Sequence, residues 1–168
     1  MDTFVEQIIY RKKTKTQVAL AALIMALTSI LVVMLFLFLR SLAFVLMLPL
    51  GWLMWWLLSG MNIEYEYCIT NGDIDVDRIV ARRKRERVVS VALKKVESAG
   101  RYEPEKWQGR QVDRLVFAAP SEKEEDLYYF SYRSKKRGYT LVVFQPNERV
   151  MEAFVKSLPR LIQLDMEK

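Results

Sequence analysis

The sequence contains no histidine and only one cysteine, Cys68. The absence of histidine excludes Ser-His-Asp triads, histidine acid–base catalysis and histidine-containing zinc sites. A single thiol excludes an internal disulfide, which agrees with a reducing compartment. Cys68 stands among acidic residues, and their negative charge disfavours the nucleophilic thiolate. We therefore expect no enzymatic activity, no metal site and no cofactor.

Charge is missing from two long stretches, residues 18–39 and residues 42–58. A bilayer core about 30 Å thick is crossed by roughly 20 apolar helical residues. The pattern therefore predicts two transmembrane helices with these bounds. Only Arg40 and Ser41 separate them, so the two helices are expected to form a tight hairpin.

The basic residues around these stretches predict an orientation. Four basic side chains fall within residues 11–15, whereas Arg40 is the only charge between the spans. By the positive-inside rule, both termini of a multi-pass plasma membrane protein would then be cytoplasmic. Residues 1–17 form a cytoplasmic juxtamembrane segment. Thr3 and Glu6 have capping-box spacing, which predicts a short helix on the inner leaflet or a helical extension of the first span.

Residues 62–168 have the mixed charge of a water-soluble domain. Residues 63–70 and 73–80 alternate apolar and polar side chains around Asn71-Gly72, a strong hairpin signal. In the register that this turn implies, one face is almost wholly apolar. The other face carries five carboxylates, for which we expect a solvated surface rather than a calcium site: Glu64, Glu66, Asp73, Asp75 and Asp77.

The rest of the domain predicts further strands and one helix. A turn at Lys84-Arg85 would pair Val80 with Val89, and residues 94–111 have the composition of a loop. A helix from Asn147 to about Leu158 is predicted to end or kink at Pro159. Further strands are expected at 88–93, 113–118, 127–133 and 139–144. The apolar side chains at helical spacing are Val150, Phe154, Leu158 and Leu161.

This order of elements resembles the pleckstrin-homology (PH) superfold. The fold class implied is membrane-anchored α+β, with a two-helix transmembrane hairpin and a PH-like antiparallel β-barrel closed by a C-terminal amphipathic helix. The resemblance rests on YEYCITNGDIDVDRIVARRKRERVVSV and YYFSYRSKKRGYTLVVFQPNERVMEAF. The whole chain is similar to bacterial, Firmicutes-type membrane proteins that carry two helices followed by a PH-like domain. The resemblance implies binding rather than catalysis and supplies no catalytic residues.

The run ARRKRER follows closely on the acidic residues, and a second basic run begins at residue 135. If the first strand points away from the membrane, the next strand returns the basic run to the anionic inner leaflet, which attracts Lys and Arg. The alternative is a solvated turn whose partners are Glu86 and nearby acids. The residues predicted to bind lipid or a partner are Arg82, Arg83, Lys84, Arg85 and Arg87, with Lys135, Lys136 and Arg137.

Two kinds of function fit these observations. The first is a membrane-tethered PH-like interaction module that binds a protein partner, anionic inner-leaflet lipid, or both. The alternative is an accessory subunit of a larger transporter or secretion complex. Nucleic-acid binding is less favoured, because strand alternation buries about half of the aromatic side chains near the second basic run. The identity of the membrane or cytoplasmic protein partner and the oligomeric state stay open.

Overall fold

The computed structural model describes residues 4–107 and 109–166. These residues belong to two compact units. One unit is Lys12–Ile63. The other combines the N-terminal segment up to Arg11 with the chain from Glu64 onward. The second unit is therefore assembled from two parts of the chain that the first unit separates in sequence.

The first unit consists of two apolar helices, α1 (Lys15–Leu39) and α2 (Ser41–Ser59). At about 1.5 Å per residue they are about 37 Å and 28 Å long, and by length and composition both are candidate membrane spans. The helix α1 begins with a capping box, in which Thr14 Oγ1 accepts from the Gln17 backbone amide at 3.3 Å. Only Arg40, with φ 37° and ψ −100°, separates the helices.

The first sheet of the second unit contains β1 (Phe4–Tyr10), β2 (Ile63–Thr70), β3 (Asp73–Val80) and β4 (Lys84–Ala92), which are neighbours in that order. The strand β1 is antiparallel to β2. The predicted helix in this segment is therefore wrong. The burial of the β1 side chains alternates with a two-residue period, since Val5, Gln7 and Ile9 are half-buried and the side chains between them are exposed.

The β3–β4 hairpin turns earlier than its sequence pattern predicts. Ala81, Arg82 and Arg83 form the turn, and Lys84 already lies opposite Val80. A register shift next to Asp77 then brings Val76 opposite Val89. The predicted turn at Lys84-Arg85 and the predicted pairing of Val80 with Val89 are therefore wrong. Most of the basic run is strand rather than turn.

The second sheet contains β5 (Val96–Arg101), β6 (Arg114–Ala118), β7 (Tyr128–Ser134) and β8 (Gly138–Phe144), in the order β5-β7-β8-β6. A short helix, α3 (Pro104–Trp107), follows β5. Because β6 runs parallel to β8, this sheet is mixed. The prediction of a closed antiparallel barrel is therefore wrong, since the strands form two separate sheets. The prediction of a loop over residues 94–111 is also wrong where β5 forms.

Two helices follow the second sheet, α4 (Glu148–Ser157) and α5 (Arg160–Met166). The side-chain oxygen of Asn147 caps α4 by accepting from the Val150 backbone amide at 2.9 Å. The helix α4 ends before Pro159, as predicted. Its Phe154 ring is fully buried, 5.1 Å from the ring of Phe144 between centroids. Leu161 is 80% exposed, so it does not extend the buried face that Val150 and Phe154 form.

Tyr67 connects the two sheets through the core. Its ring is fully buried and meets the Phe144 ring edge to face, with centroids 5.7 Å apart. Its hydroxyl donates to the Ala118 carbonyl and accepts from the Gln145 backbone amide at 3.2 Å. Burial raises the pKa of this phenol. The hydroxyl therefore stays protonated and keeps both hydrogen bonds.

Candidate anion-binding seam

One face of β2 and β3 carries carboxylates that are largely buried. Glu64, Glu66 and Asp77 are only 7%, 6% and 3% exposed, respectively. A buried carboxylate is strongly destabilising unless it is paired and hydrogen-bonded. The prediction of a solvated acidic face is therefore wrong for these three residues. No group of three or more Asp, Glu, Cys or His side chains among the described residues is arranged to hold a metal ion.

Arginines of β4 compensate this buried negative charge. Arg85 donates through Nη2 to Glu66 and through Nε to Asp77 Oδ2 at 2.6 Å. Arg87 donates to the other Asp77 oxygen at 3.1 Å and lies 3.2 Å from an Asp75 oxygen. The acidic and basic runs are thus neighbours across a hairpin, and their charges pair between strands. We call this set of side chains the charge ladder.

The turn residue Arg82 extends the charge ladder to the edge strand. Its Nε lies 2.9 Å from Glu64, and its Nη2 donates to the Tyr10 hydroxyl at 3.1 Å. Ala81 and Arg82 both have a positive φ of 55°, a conformation that costs about 1–2 kcal/mol for a residue with a Cβ. The contacts of Arg82 with β2 and β1 offset this strain. They also explain why the turn forms at 81–83 rather than at Lys84-Arg85.

The charge ladder fixes the ionisation of Asp77. Burial alone would raise the pKa of this carboxyl, but hydrogen bonds from Arg85 and Arg87, with their positive charges, lower it below the ordinary value. Asp77 therefore favours the folded state when it is ionised. The two arginines have a structural role here, and their charge is largely neutralised by the carboxylates beneath them.

A second charged feature lies where the edge strand β4 faces the edge strand β6. A pocket of about 240 Å³ opens there, and Val88, Val116 and Phe117 form part of its wall. Its charged lining comes from β3, β4, β6 and the β7–β8 turn. We call this set the arginine seam: Arg78, Glu86, Arg87, Arg114 and Arg137.

Donors in the arginine seam are incompletely satisfied. Arg78 Nη2 lies 2.8 Å from Glu86. However, Arg78 Nε and Arg114 Nη1 are buried and have no hydrogen-bond partner in the described part of the chain. A buried donor without a partner costs about 1–3 kcal/mol. The two side chains come from different strands and line one pocket, so an acceptor that entered between them would relieve this cost.

The sequence prediction and the arginine seam overlap in part. Arg87 and Arg137, from the two basic runs, line the same pocket, and Arg137 Nη1 lies 3.4 Å from the Val88 carbonyl oxygen. Arg82 and Arg85 belong instead to the charge ladder. The remaining predicted residues are exposed cations on the two turns and at the start of β4: Arg83, Lys84, Lys135 and Lys136.

Sequence reasoning missed Arg78 and Arg114. Arg78 lies on β3 at a position that alternation assigns to the apolar face, two residues after the buried Val76. A charged side chain that interrupts an apolar face is a signal that could have identified it. Arg114 gives no such signal, because it opens a short strand after a charged loop. Only the meeting of β4 and β6 brings it to the pocket.

A larger cleft, of about 730 Å³, lies along β5 and α3. Three of its lining side chains are in mutual contact, since the Trp107 ring meets the Tyr129 ring at 4.8 Å and the Arg110 guanidinium at 5.0 Å. Nearby, Phe130 and Tyr132 are buried in the core. Phe130 and Tyr132 therefore offer no open ring face on which a base could stack.

The sequence profile of the family described as Bacterial PH-like domain (DUF6106) matches residues 1–164, most of the chain. The chain belongs to this family. The match confirms the resemblance to bacterial proteins with two apolar helices and a PH-like domain. No curated protein and no solved structure matches the chain significantly. PH-like domains are in general modules for interaction and not catalysts.

Proposed function

We propose that this protein is a membrane-tethered interaction module whose PH-like domain binds an anionic group of a protein partner or of an inner-leaflet lipid. The observation that carries the proposal is the convergence of the two basic runs. Arg87 and Arg137 are far apart in sequence but line one pocket, together with Arg78 and Arg114. Exposed Lys135 and Lys136 precede Arg137 on the β7–β8 turn and add positive charge nearby.

The two apolar helices support the tether. Their lengths of 25 and 19 residues and their apolar composition fit two membrane spans. Because β1 precedes α1 and β2 follows α2, yet the two strands pair, both flanks of the helices would lie on the same side of the membrane. The four basic side chains at residues 11–15 favour the cytoplasmic side. The proposed location is therefore the plasma membrane, with both termini in the cytoplasm.

A photocrosslinking experiment in native membranes tests the proposal. A photoreactive residue at Lys136, beside the arginine seam, should crosslink to an anionic lipid or to a protein partner. The same residue at exposed Lys123, in the β6–β7 connection, is the control. Combining the probe with Arg114→Gln and Arg137→Gln should abolish the crosslink. Identical products from Lys136 and Lys123, or products that the arginine substitutions leave unchanged, would refute the proposal.

A second candidate function is that of an accessory subunit in a larger membrane complex. Ala19, Ala22, Ala26 and Ser29 are exposed at helical spacing on α1, and small residues allow close helix contact within membranes. Purification in mild detergent should then recover a stoichiometric membrane partner. Substituting Ala22→Leu should release that partner, whereas Leu23→Ala should retain it. Recovery of the protein alone would exclude this function.

A further inference from the structure

We infer that the arginine seam is a binding site for a phosphate monoester group, and this inference rests on the interaction function proposed above. Four guanidinium groups line one pocket, and each comes from a different segment of the chain. Arginine is the side chain best suited to phosphoryl oxygens, because its planar fork donates two parallel hydrogen bonds. The seam therefore surrounds its ligand with donors instead of offering one flat cationic surface.

The unpaired donors favour a phosphoryl group over a carboxylate. Arg78 Nε and Arg114 Nη1 belong to different strands, and each is buried without a hydrogen-bond partner in the described residues. A carboxylate is planar and has two oxygens, whereas a phosphate monoester has three terminal oxygens arranged tetrahedrally. Three oxygens can accept simultaneously from donors on β3, on β6 and on the β7–β8 turn. The pocket, at about 240 Å³, also has room for a phosphoryl group.

The charge of the seam favours a monoester over a diester. Four arginines and Glu86 give a formal charge of +3 (four positive minus one negative). The charge of Arg87 is largely neutralised by Asp75 and Asp77, so the pocket has about two positive charges to balance. A phosphate monoester carries a charge of about −1.5 to −2 at neutral pH, which matches the positive charge of the pocket. A diester carries only one negative charge and matches it less well.

Glu86 acts as a competitor for the ligand. It holds Arg78 Nη2 at 2.8 Å and is itself half exposed, so it can turn away to solvent when a phosphoryl group enters. Removing its charge should therefore strengthen binding. In a discrete site the position of each charge, and not only its sign, determines the effect of a substitution, so a cation outside the pocket is the discriminating control.

The test uses the full-length chain in nanodiscs of neutral phosphatidylcholine. Inorganic phosphate and glycerol 3-phosphate are titrated at constant ionic strength against acetate and chloride, and the NMR signals of the arginine Nε–H groups report the contacts. We expect the phosphates alone to shift the Arg78 and Arg114 signals. Shifts of equal size with acetate or chloride would overturn the inference.

Substitutions then identify the pocket. Arg114→Gln should weaken phosphate binding about ten- to a hundredfold, the range for losing one charged hydrogen-bond donor. Lys123→Gln removes the same charge in the β6–β7 connection, outside the pocket, and should change binding less than about twofold. Arg114→Lys, which keeps the charge but not the fork, should weaken binding as well. Glu86→Gln should strengthen binding. Equal weakening by Arg114→Gln and Lys123→Gln would refute a discrete site.

The source of the phosphoryl group is resolved in a second arm, with nanodiscs that contain phosphatidate, a monoester lipid, or phosphatidylglycerol, a diester lipid. Signal shifts in phosphatidate discs without added phosphate support a lipid headgroup as ligand, and shifts with soluble phosphates alone support a soluble one. Failure of every phosphate to bind, while the Lys136 crosslinks persist, would refute the phosphate inference and leave the interaction function in place.

Discussion

Removing Arg85 should show how much this arginine stabilises the buried carboxylates of the first sheet. Glu66 and Asp77 are 6% and 3% exposed, and Arg85 contacts both. In Arg85→Gln, Asp77 keeps its ion pair with Arg87. Glu66 loses its ion pair with Arg85, and within the described residues it has no other. Breaking a buried ion pair by removing one partner costs about 3–5 kcal/mol. Because Arg85 is itself half exposed, we expect the lower part of that range.

The measurement is urea unfolding of the full-length protein in a neutral detergent, followed by the β-sheet signal in circular dichroism. A loss of about 3 kcal/mol should lower the urea midpoint by about 1–2 M for a small domain. The matched control is Lys84→Gln, the neighbouring exposed cation, which should leave the midpoint nearly unchanged. Arg85→Gln combined with Glu66→Gln should recover part of the loss, since the double variant has no unpaired charge at Glu66.

The effect should depend on pH with a definite sign. The pKa of Asp77 is lowered in the folded state, so its contribution is present above the ordinary carboxyl pKa of about 4 and is lost as pH falls through the lower folded value. In Arg85→Gln, acid instead neutralises the carboxylates that the arginine no longer balances. The midpoints of wild type and variant should therefore converge on acidification. An unchanged midpoint near neutral pH, or a gap that persists in acid, would refute the reasoning.

Three further predictions concern other parts of the molecule. Phe154→Ala should cost about 3–5 kcal/mol of unfolding free energy, because the ring is fully buried, whereas exposed Leu161→Ala should cost little; equal urea midpoints would exclude the packing of α4. Gly138→Ala should destabilise the β7–β8 turn, since φ is +66° and a Cβ would lie 2.1 Å from Asp113 Oδ2; hydrogen exchange at Tyr139 should accelerate, and an unchanged rate would contradict this. Reporter fusions at both termini should behave as cytoplasmic and an insertion at Ser41 as external; an external C-terminus would overturn the proposed topology.

Local signals predicted the parts of the fold that local chemistry determines. The Asn71-Gly72 hairpin forms with φ angles of 50° and 87°, as a two-residue turn with two positive φ values requires. The strands on either side of it have the predicted bounds. The two apolar helices are present, and α4 ends before Pro159. In each case a turn residue, a proline or a long apolar run is sufficient to predict the element from the local sequence.

Features of the fold that depend on contacts between residues distant in sequence could not be predicted from such local signals. The strand β1 is stabilised by β2, more than fifty residues later, and by Gln7, which donates to the Gln145 carbonyl at 3.1 Å. The strand β5 forms by pairing with β7, more than twenty-five residues later, where Gly100 lies opposite Tyr129. The arginine seam depends on the approach of β4 to β6, which no pattern along the chain encodes.

The separation of β1 from β2 has a consequence for how the protein is made. The ribosome synthesises β1 before either apolar helix and β2 only after both. The strand β1 therefore cannot pair with β2 until both helices have been synthesised. Closing a loop of this length in a free chain carries an entropic penalty, and contacts distant in sequence slow folding. A helix pair that has entered the bilayer with both flanks on one side would already have brought the loop ends close together. Membrane insertion would then come before completion of the sheet, and a chain that failed to insert would leave β2 as an unpaired edge, open to aggregation.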